Sequence, residues 1–137
     1  MNTRQIGDIG EDYAEKYLKK RFWKILSRNY KAPGGEIDII GYRFGVLVYF
    51  EVKARSNNDF GQPSDAVDGA KVERIKRTAR HFLNTYRRKG RIPVFYPFGI
   101  ERLGKIRKER IDVIEVFLTE DKTPMGINHI KDWGKLL

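Results

Sequence analysis

Cysteine is absent from the 137 residues, and histidine occurs only twice. The first absence excludes disulfides, thiolate zinc sites and a cysteine nucleophile. His81 and His129 stand alone, with no ligand spacing around either, so neither is assigned to metal or acid–base work. No apolar run approaches the roughly 18–20 residues of a membrane span. The opening MNTRQIGDIGEDY lacks the apolar segment of a secretory signal, and a reducing cytoplasm is the expected setting. The pattern G-x-x-x-x-G-K-[ST] is missing too, so ATP use is not indicated.

The chain does have an excess of positive charge. Lysine and arginine number 28 against 18 acidic residues, a formal charge of +10. Such an excess favours a polyanionic partner, most often nucleic acid, although a solvated basic surface explains charge alone nearly as well. The length fits one domain, residues 1–137, around one core.

Residues 3–21 read as an amphipathic helix, with Ile6, Ile9, Tyr13, Ala14, Tyr17 and Leu18 at helical spacing. Gly7 and Gly10 allow close backbone approach near its start. WKILSRNY, residues 23–30, reads as a strand, and KAPGG breaks it. Two strong strands follow over residues 36–42 and 46–53, joined by RFG as a hairpin. Residues 56–65 read as a loop. A second helix starts near Asp65 or Asp68 and runs to about Arg88, with Gly90 as its stop. RIPVFYPFGI and ERIDVIEVFL read as further strands separated by a basic connector, ERLGKIRK. The tail holds one short strand over residues 128–130. This order predicts an α/β sandwich, helices packed on a mixed sheet.

The hairpin carries charges where strands want apolar groups. Parity puts Ile37 and Ile39 on one face, and Glu36, Asp38 and Ile40 on the other. In the next strand Val46, Val48, Phe50 and Val52 lie opposite Leu47, Tyr49, Glu51 and Lys53. Matching the apolar faces selects a register with a tight turn at Phe44-Gly45, because a one-residue slip would exchange them. That register sets Ile39 opposite Phe50, Ile37 opposite Val52, Asp38 opposite Glu51, and Glu36 opposite Lys53. Two facing carboxylates should destabilise the hairpin by roughly 0.2–1 kcal/mol. A divalent cation between them would remove the repulsion, and carboxylate oxygens suit Mg²⁺ or Mn²⁺. A solvent-facing strand with interspersed charges is the bland alternative. The apolar richness of both strands, as in a sheet covered on both faces, favours a metal site.

At these residues the chain resembles the PD-(D/E)xK, or restriction-endonuclease-like, nuclease superfamily, and more closely the YraN family of small bacterial proteins. The matching stretches are IGDIGEDYAEKYL, ILSRNY, GGEIDII, VLVYFEVKAR, FGQPSDAVDGAK and RIDVIEV, in the family's order. The resemblance implies a restriction-endonuclease-like three-layer core of helix, three strands, helix and strand. It implies metal at Asp38 and Glu51, helped by the Val52 carbonyl, with Lys53 as the motif's lysine. Glu11 matches the additional carboxylate of archaeal Holliday-junction resolvases. Glu36 belongs to the GEID stretch without a secure role, a salt bridge to Lys53 being its alternative. One departure stands out: PVFYPFGIERLGKIRK is longer than the connection in relatives, a lengthened hairpin or a basic arm.

Lys71 and Arg74, with Arg55 and Arg28, are the candidate phosphate contacts, of a kind that binds without reading sequence. Phe95, Tyr96 and Phe98 could stack on bases or pack in a core. Asp112 sits in a buried-looking strand with its role open. The leading expectation is a Mg²⁺- or Mn²⁺-dependent endonuclease acting on DNA, with branched or structured DNA implied by the resemblance. The alternative is a nucleic-acid-binding module that keeps the fold without cutting. Junction-cutting relatives pair their active sites, which implies a homodimer.

Overall fold

The computed structural model describes residues 1–56 and 68–134. The loop expected over 56–65 therefore lies, apart from Ser56, outside the described residues. Helix α1 covers Thr3–Lys20. Asn2 opens it with a capping box: its side chain accepts from the Gln5 amide at 2.8 Å, and the Gln5 side chain accepts from the Asn2 amide at 2.9 Å. Three strands follow, β1 over Lys24–Ala32, β2 over Gly35–Arg43 and β3 over Val46–Arg55. Helix α2 covers Gly69–Tyr86 and is capped by Asp68, whose side chain accepts from the amides of Ala70 and Lys71.

The main sheet has the order β1-β2-β3-β6-β7, where β6 is Lys108–Leu118 and β7 is Pro124–Gly134. It is mixed. The β3–β6 pair is parallel, with α2 in the crossover, and the other three pairs are antiparallel. The fourth core strand is thus ERIDVIEVFL. The expected connector ERLGKIRK is instead largely a strand: β5, Ile100–Lys105, pairs with β4, Arg91–Tyr96, as a hairpin outside the main sheet. The tail strand is far longer than the three residues expected, because β7 runs along β6 as an edge.

The two helices cover opposite faces. Ala14 and Leu18 of α1 join Ile39, Val48, Phe50, Ile114 and Val116 in one core layer. Val72, Ile75, Ala79, Phe82 and Leu83 of α2 join Ile37, Ile40, Leu47, Tyr49, Ile111 and Val113 in the other. This is a three-layer α/β domain. At about 25 cal/mol per Å² of apolar surface removed from water, these layers supply the main driving force. Two glycines set how closely the helices approach. A Cβ on Gly10 would stand 3.3 Å from Ala54 Cβ, and one on Gly35 would collide with Thr78 Oγ1 and lie 3.2 Å from Arg74 O. Of the two glycines expected to admit close approach in α1, only Gly10 does so; a Cβ on Gly7 meets nothing within 4 Å.

Among the non-glycine residues with positive φ, three are phenylalanines in turns. Phe22, Phe44 and Phe98 have φ of 69°, 50° and 67°. Phe22 is the C′ residue of α1: its amide donates to Lys19 O at 3.1 Å and the Trp23 amide donates to Leu18 O at 3.1 Å. That closure normally uses glycine. Phe44, with Gly45 at φ 86°, forms the two-residue β2–β3 turn, where Asn-Gly is the usual pair. A non-glycine residue held left-handed costs roughly 1–2 kcal/mol.

Gly35→Ala should destabilise the fold by about 1–3 kcal/mol through the α2 contact. Gly126→Ala, with nothing within 4 Å of the added Cβ, should stay within about 0.5 kcal/mol. Urea unfolding of both variants checks this, and equal midpoints would contradict it.

Candidate metal and phosphodiester site

The hairpin register is the one selected by apolar matching: Ile39 faces Phe50, Ile40 faces Tyr49, and Arg43 faces Val46 across the turn. The ladder then stops. Beyond Ile39 the amide of Val52 donates not to β2 backbone but to the Asp38 carboxylate, at 2.8 Å. The expected backbone pairs Ile37–Val52, Asp38–Glu51 and Glu36–Lys53 are accordingly not formed. Parity breaks at the same place. Ile37 enters the α2 layer and Ile39 the α1 layer, although alternation puts them on one face. Opposite this point in β1, between Arg28 and Tyr30, Asn29 takes a φ of 55°. A side-chain acceptor has replaced a ladder partner, so strand periodicity fails there.

Asp38 is largely buried, and its carboxyl is pushed up to about 7 from an ordinary 3.8. Burial is the main cause, followed by the negative field of Glu51; Glu11 and Glu36 add to it, while the Val52 amide opposes. The structure thus brings Asp38, Glu51, Glu11 and Glu36 into one field, from β2, β3 and α1. Glu11 is raised by burial as well, with Arg28 working against the rise. Glu11 and Glu36 line a shared cleft with Arg4, Asp8 and Lys31.

Counter-charges hold this cluster. Lys71, at the start of α2, reaches Glu51 at 2.6 Å. Arg28 reaches Glu11 at 3.3 Å, Asp12 at 2.6 Å and Glu15 at 3.7 Å. Arg28 therefore ties β1 to α1 rather than offering itself to solvent. Arg55 is bound to the buried Glu115 at 3.1 Å, and Glu115 also accepts from Asn128 at 2.8 Å. Of the four candidate phosphate contacts, Lys71 and Arg74 share the N-terminal end of α2, and Arg74 is exposed. Lys53 projects on the same side as Glu51, its Nζ 5.9 Å from the centre of the Trp133 ring. No ion pair joins it to Glu36 among the described residues, which removes the alternative role for Glu36.

The donor set is of a kind that suits a hard divalent cation: carboxylate oxygens from three elements, with burial disfavouring the charge on Asp38 and Glu11. Among the described residues, no three carboxylate or imidazole groups stand in a ready metal-ligating arrangement. Asp38, Glu51 and Glu11 each have an internal donor instead. A cation would have to take the place that Lys71 holds at Glu51.

A second polar centre escaped the sequence reading. Asp112, fully buried in β6, takes both Arg110 guanidinium bonds at 2.9 Å, the Asp132 amide at 2.9 Å, and His129 Nε2 at 2.8 Å. His129 Nδ1 in turn meets Tyr17 OH at 3.0 Å. Burial alone would raise the Asp112 carboxyl, but the bonds from His129, Arg110 and the Asp132 amide hold it below the usual range. Asp112 and Glu115, in the otherwise apolar run Ile111–Leu118, were the available signal, since a buried acid requires buried donors. This network locks α1 and β7 onto β6. His81, the other histidine, meets Tyr30 OH at 2.6 Å on the α2 side.

Fold and site together define a small three-layer α/β domain with an acidic cluster where the central hairpin opens, set in a strongly basic chain. Comparison with known proteins gives the family. The model of the family described as Uncharacterised protein family UPF0102 matches residues 10–116. The chain is 36% identical over 137 residues to a UPF0102 protein of Dictyoglomus thermophilum, covering 100% of this chain and 98% of that one. It is 40% identical over 134 residues to a UPF0102 protein of Clostridium beijerinckii, covering 98% and 96%. A Caldicellulosiruptor saccharolyticus relative is 34% identical over 132 residues, covering 96% and 98%. The chain belongs to the UPF0102, or YraN, family.

The Asp38 environment predicts a pH signature in the presence of chelator. The folded carboxyl titrates near 7 and the unfolded one near 3.8. Between those values the native state holds a proton that the unfolded state releases, so stability falls as pH rises through this window. At 1.36 kcal/mol per unit the loss is at most about 4 kcal/mol. Asp38→Asn keeps an acceptor for Val52 and should unfold at higher urea than wild type at pH 8, the gap closing towards pH 4. A gap that does not change with pH would contradict this.

Proposed function

We propose that this protein is a metal-dependent endonuclease-like enzyme that hydrolyses phosphodiester bonds in DNA, on a restriction-endonuclease-like fold. The observation that carries the reading is the end of the β2–β3 ladder. There Asp38 and Glu51 gather with Glu11 and Glu36, with Lys71 held on Glu51, in a chain whose net charge is +10. Like charges gathered in a partly buried site are what a bound cation would neutralise, and such perturbed carboxylates cluster at functional sites.

In this reading Asp38 and Glu51 hold Mg²⁺ or Mn²⁺, assisted by Glu11 and the Val52 carbonyl. When bound, the metal supplies activation of a water and stabilisation of charge developing on the phosphate. The protein's own contribution is positioning. The Val52 amide fixes the Asp38 carboxylate, so the donor set keeps its orientation. Lys53, two residues beyond Glu51 on the same side of β3, orients the attacking water or neutralises phosphate charge. Lys71, released from Glu51, and the exposed Arg74 then face the DNA backbone. Contacts of this type anchor the strand without selecting sequence.

One observation favours a second reading. Each of Asp38, Glu51 and Glu11 is already satisfied from within the chain, as in a nucleic-acid-binding module that keeps the fold and does not cut. Incubation with linear, single-stranded and four-way-junction DNA separates the two readings. In Mg²⁺ or Mn²⁺ the wild type should cleave at least one substrate. Asp38→Asn and Glu51→Gln should each lose about 100-fold or more, chelator should abolish cutting, and all forms should bind DNA. Binding of every substrate with no metal-dependent cleavage of any would decide for the module.

A further inference from the structure

Among the described residues four phenylalanines, Phe22, Phe44, Phe95 and Phe98, are exposed, at 76%, 80%, 67% and 100%. Three of these four occupy the left-handed turn positions described above, where glycine or asparagine would relieve strain. Neither core packing nor turn geometry accounts for them. Strain kept without burial points to a surface used for contact.

Phe22, Phe44 and Phe95 line one cleft of about 670 Å³, between the end of α1, the β2–β3 turn and the β4–β5 hairpin. Lys19, Lys24 and Arg43 border the same cleft. Arg43 already stacks on Trp23, 4.4 Å from the ring centre, and Lys24 lies 4.8 Å from the Tyr96 ring centre. The acid among the lining residues, Glu15, is taken by Lys19 at 2.9 Å. The cleft thus combines exposed aromatic rings with two cations, Lys24 and Arg43, that no carboxylate pairs among the described residues.

We infer that this cleft binds single-stranded DNA, stacking unpaired bases on Phe22, Phe44 and Phe95 while Lys24 and Arg43 hold the phosphates. Alternating rings and cations fit a strand whose bases are free and whose backbone is anionic. A second copy of the chain fits poorly, because each copy carries +10 and the rims of both clefts would repel. Duplex DNA fits poorly too, since its bases present no open face. The assignment of the strand as DNA rests on the proposed function. Binding itself does not depend on cleavage: Phe44 lies six residues along β2 from Asp38, about 20 Å away. A strand held here would extend a junction or flap arm away from the carboxylates.

The test is anisotropy of a labelled 20-nucleotide single strand in EDTA, beside the blunt duplex and an RNA of the same sequence. Phe22→Gly and Phe44→Asn replace strained residues with those their turns prefer, so both variants should melt at or above the wild-type temperature. Each should nevertheless weaken single-strand binding at least about five-fold, as should Phe95→Ala, with duplex affinity changed less than about two-fold. Unchanged single-strand affinity, equal losses on duplex, or preference for the RNA would overturn the proposal. So would a wild-type dimer in sedimentation that the variants dissociate. Because EDTA removes cutting, loss of cleavage with this binding intact refutes only the nuclease reading.

Discussion

The Asp38–Val52 hydrogen bond is the constraint around which the domain is arranged. Up to Ile39 and Phe50 the central hairpin is an ordinary antiparallel ladder. Past that pair the carboxylate takes an amide that β2 backbone would have bound, at 2.8 Å. β3 then relies on its parallel partner β6, with which it pairs from Val46 to Arg55. Opening the hairpin makes room for Glu51 and brings Glu11 of α1 into the same field. It also concentrates negative charge, and Lys71 and Arg28 answer it from α2 and β1. Each counter-charge ties a helix to the sheet, so the cluster acts as a joint between all three layers. Such pairs are not a source of large net stability, since burying charge costs solvation.

Much of this was legible in residues alone, for a specific reason. Val46, Val48 and Phe50 permit only one partner face, so the register followed from avoiding a slip. Gly7 and Gly10 both read as sites of close approach in α1, and only Gly10 is one, because it alone faces Ala54 of β3. The break at Asp38 was not legible, because it depends on one side chain replacing one backbone acceptor and on Asn29 turning left-handed opposite it. Period-two reasoning has no term for that. The β5 strand was hidden because a hairpin outside the main sheet has little buried face, and ERLGK shows no alternation. β7 was read too short because an edge strand buries only part of its length. The Asp112–His129 contact joins residues 17 apart in sequence, and no spacing rule links them.

Two regions of the molecule depart from what stability alone would select, and they do so differently. At the sheet opening, like charges are gathered and partly buried. At the cleft beside Phe44, aromatic rings are held in strained turns and left uncovered. Proteins retain features of this kind at functional sites. The partner proposed for the carboxylates is a divalent cation, and the partner proposed for the rings is a strand with unpaired bases. The proposed strand, a polyanion, accords with the chain's net charge of +10.

The central claim is that the opening between β2 and β3 is a cation site. Titration of Mn²⁺ into isotopically labelled protein, followed by paramagnetic broadening of backbone amide signals, tests it most directly. The account predicts that Asp38, Glu51, Val52 and Glu11 broaden first, and that Asp38→Asn abolishes this early broadening. Early broadening at exposed acids such as Glu73 or Asp121, with those four signals still sharp, would contradict it.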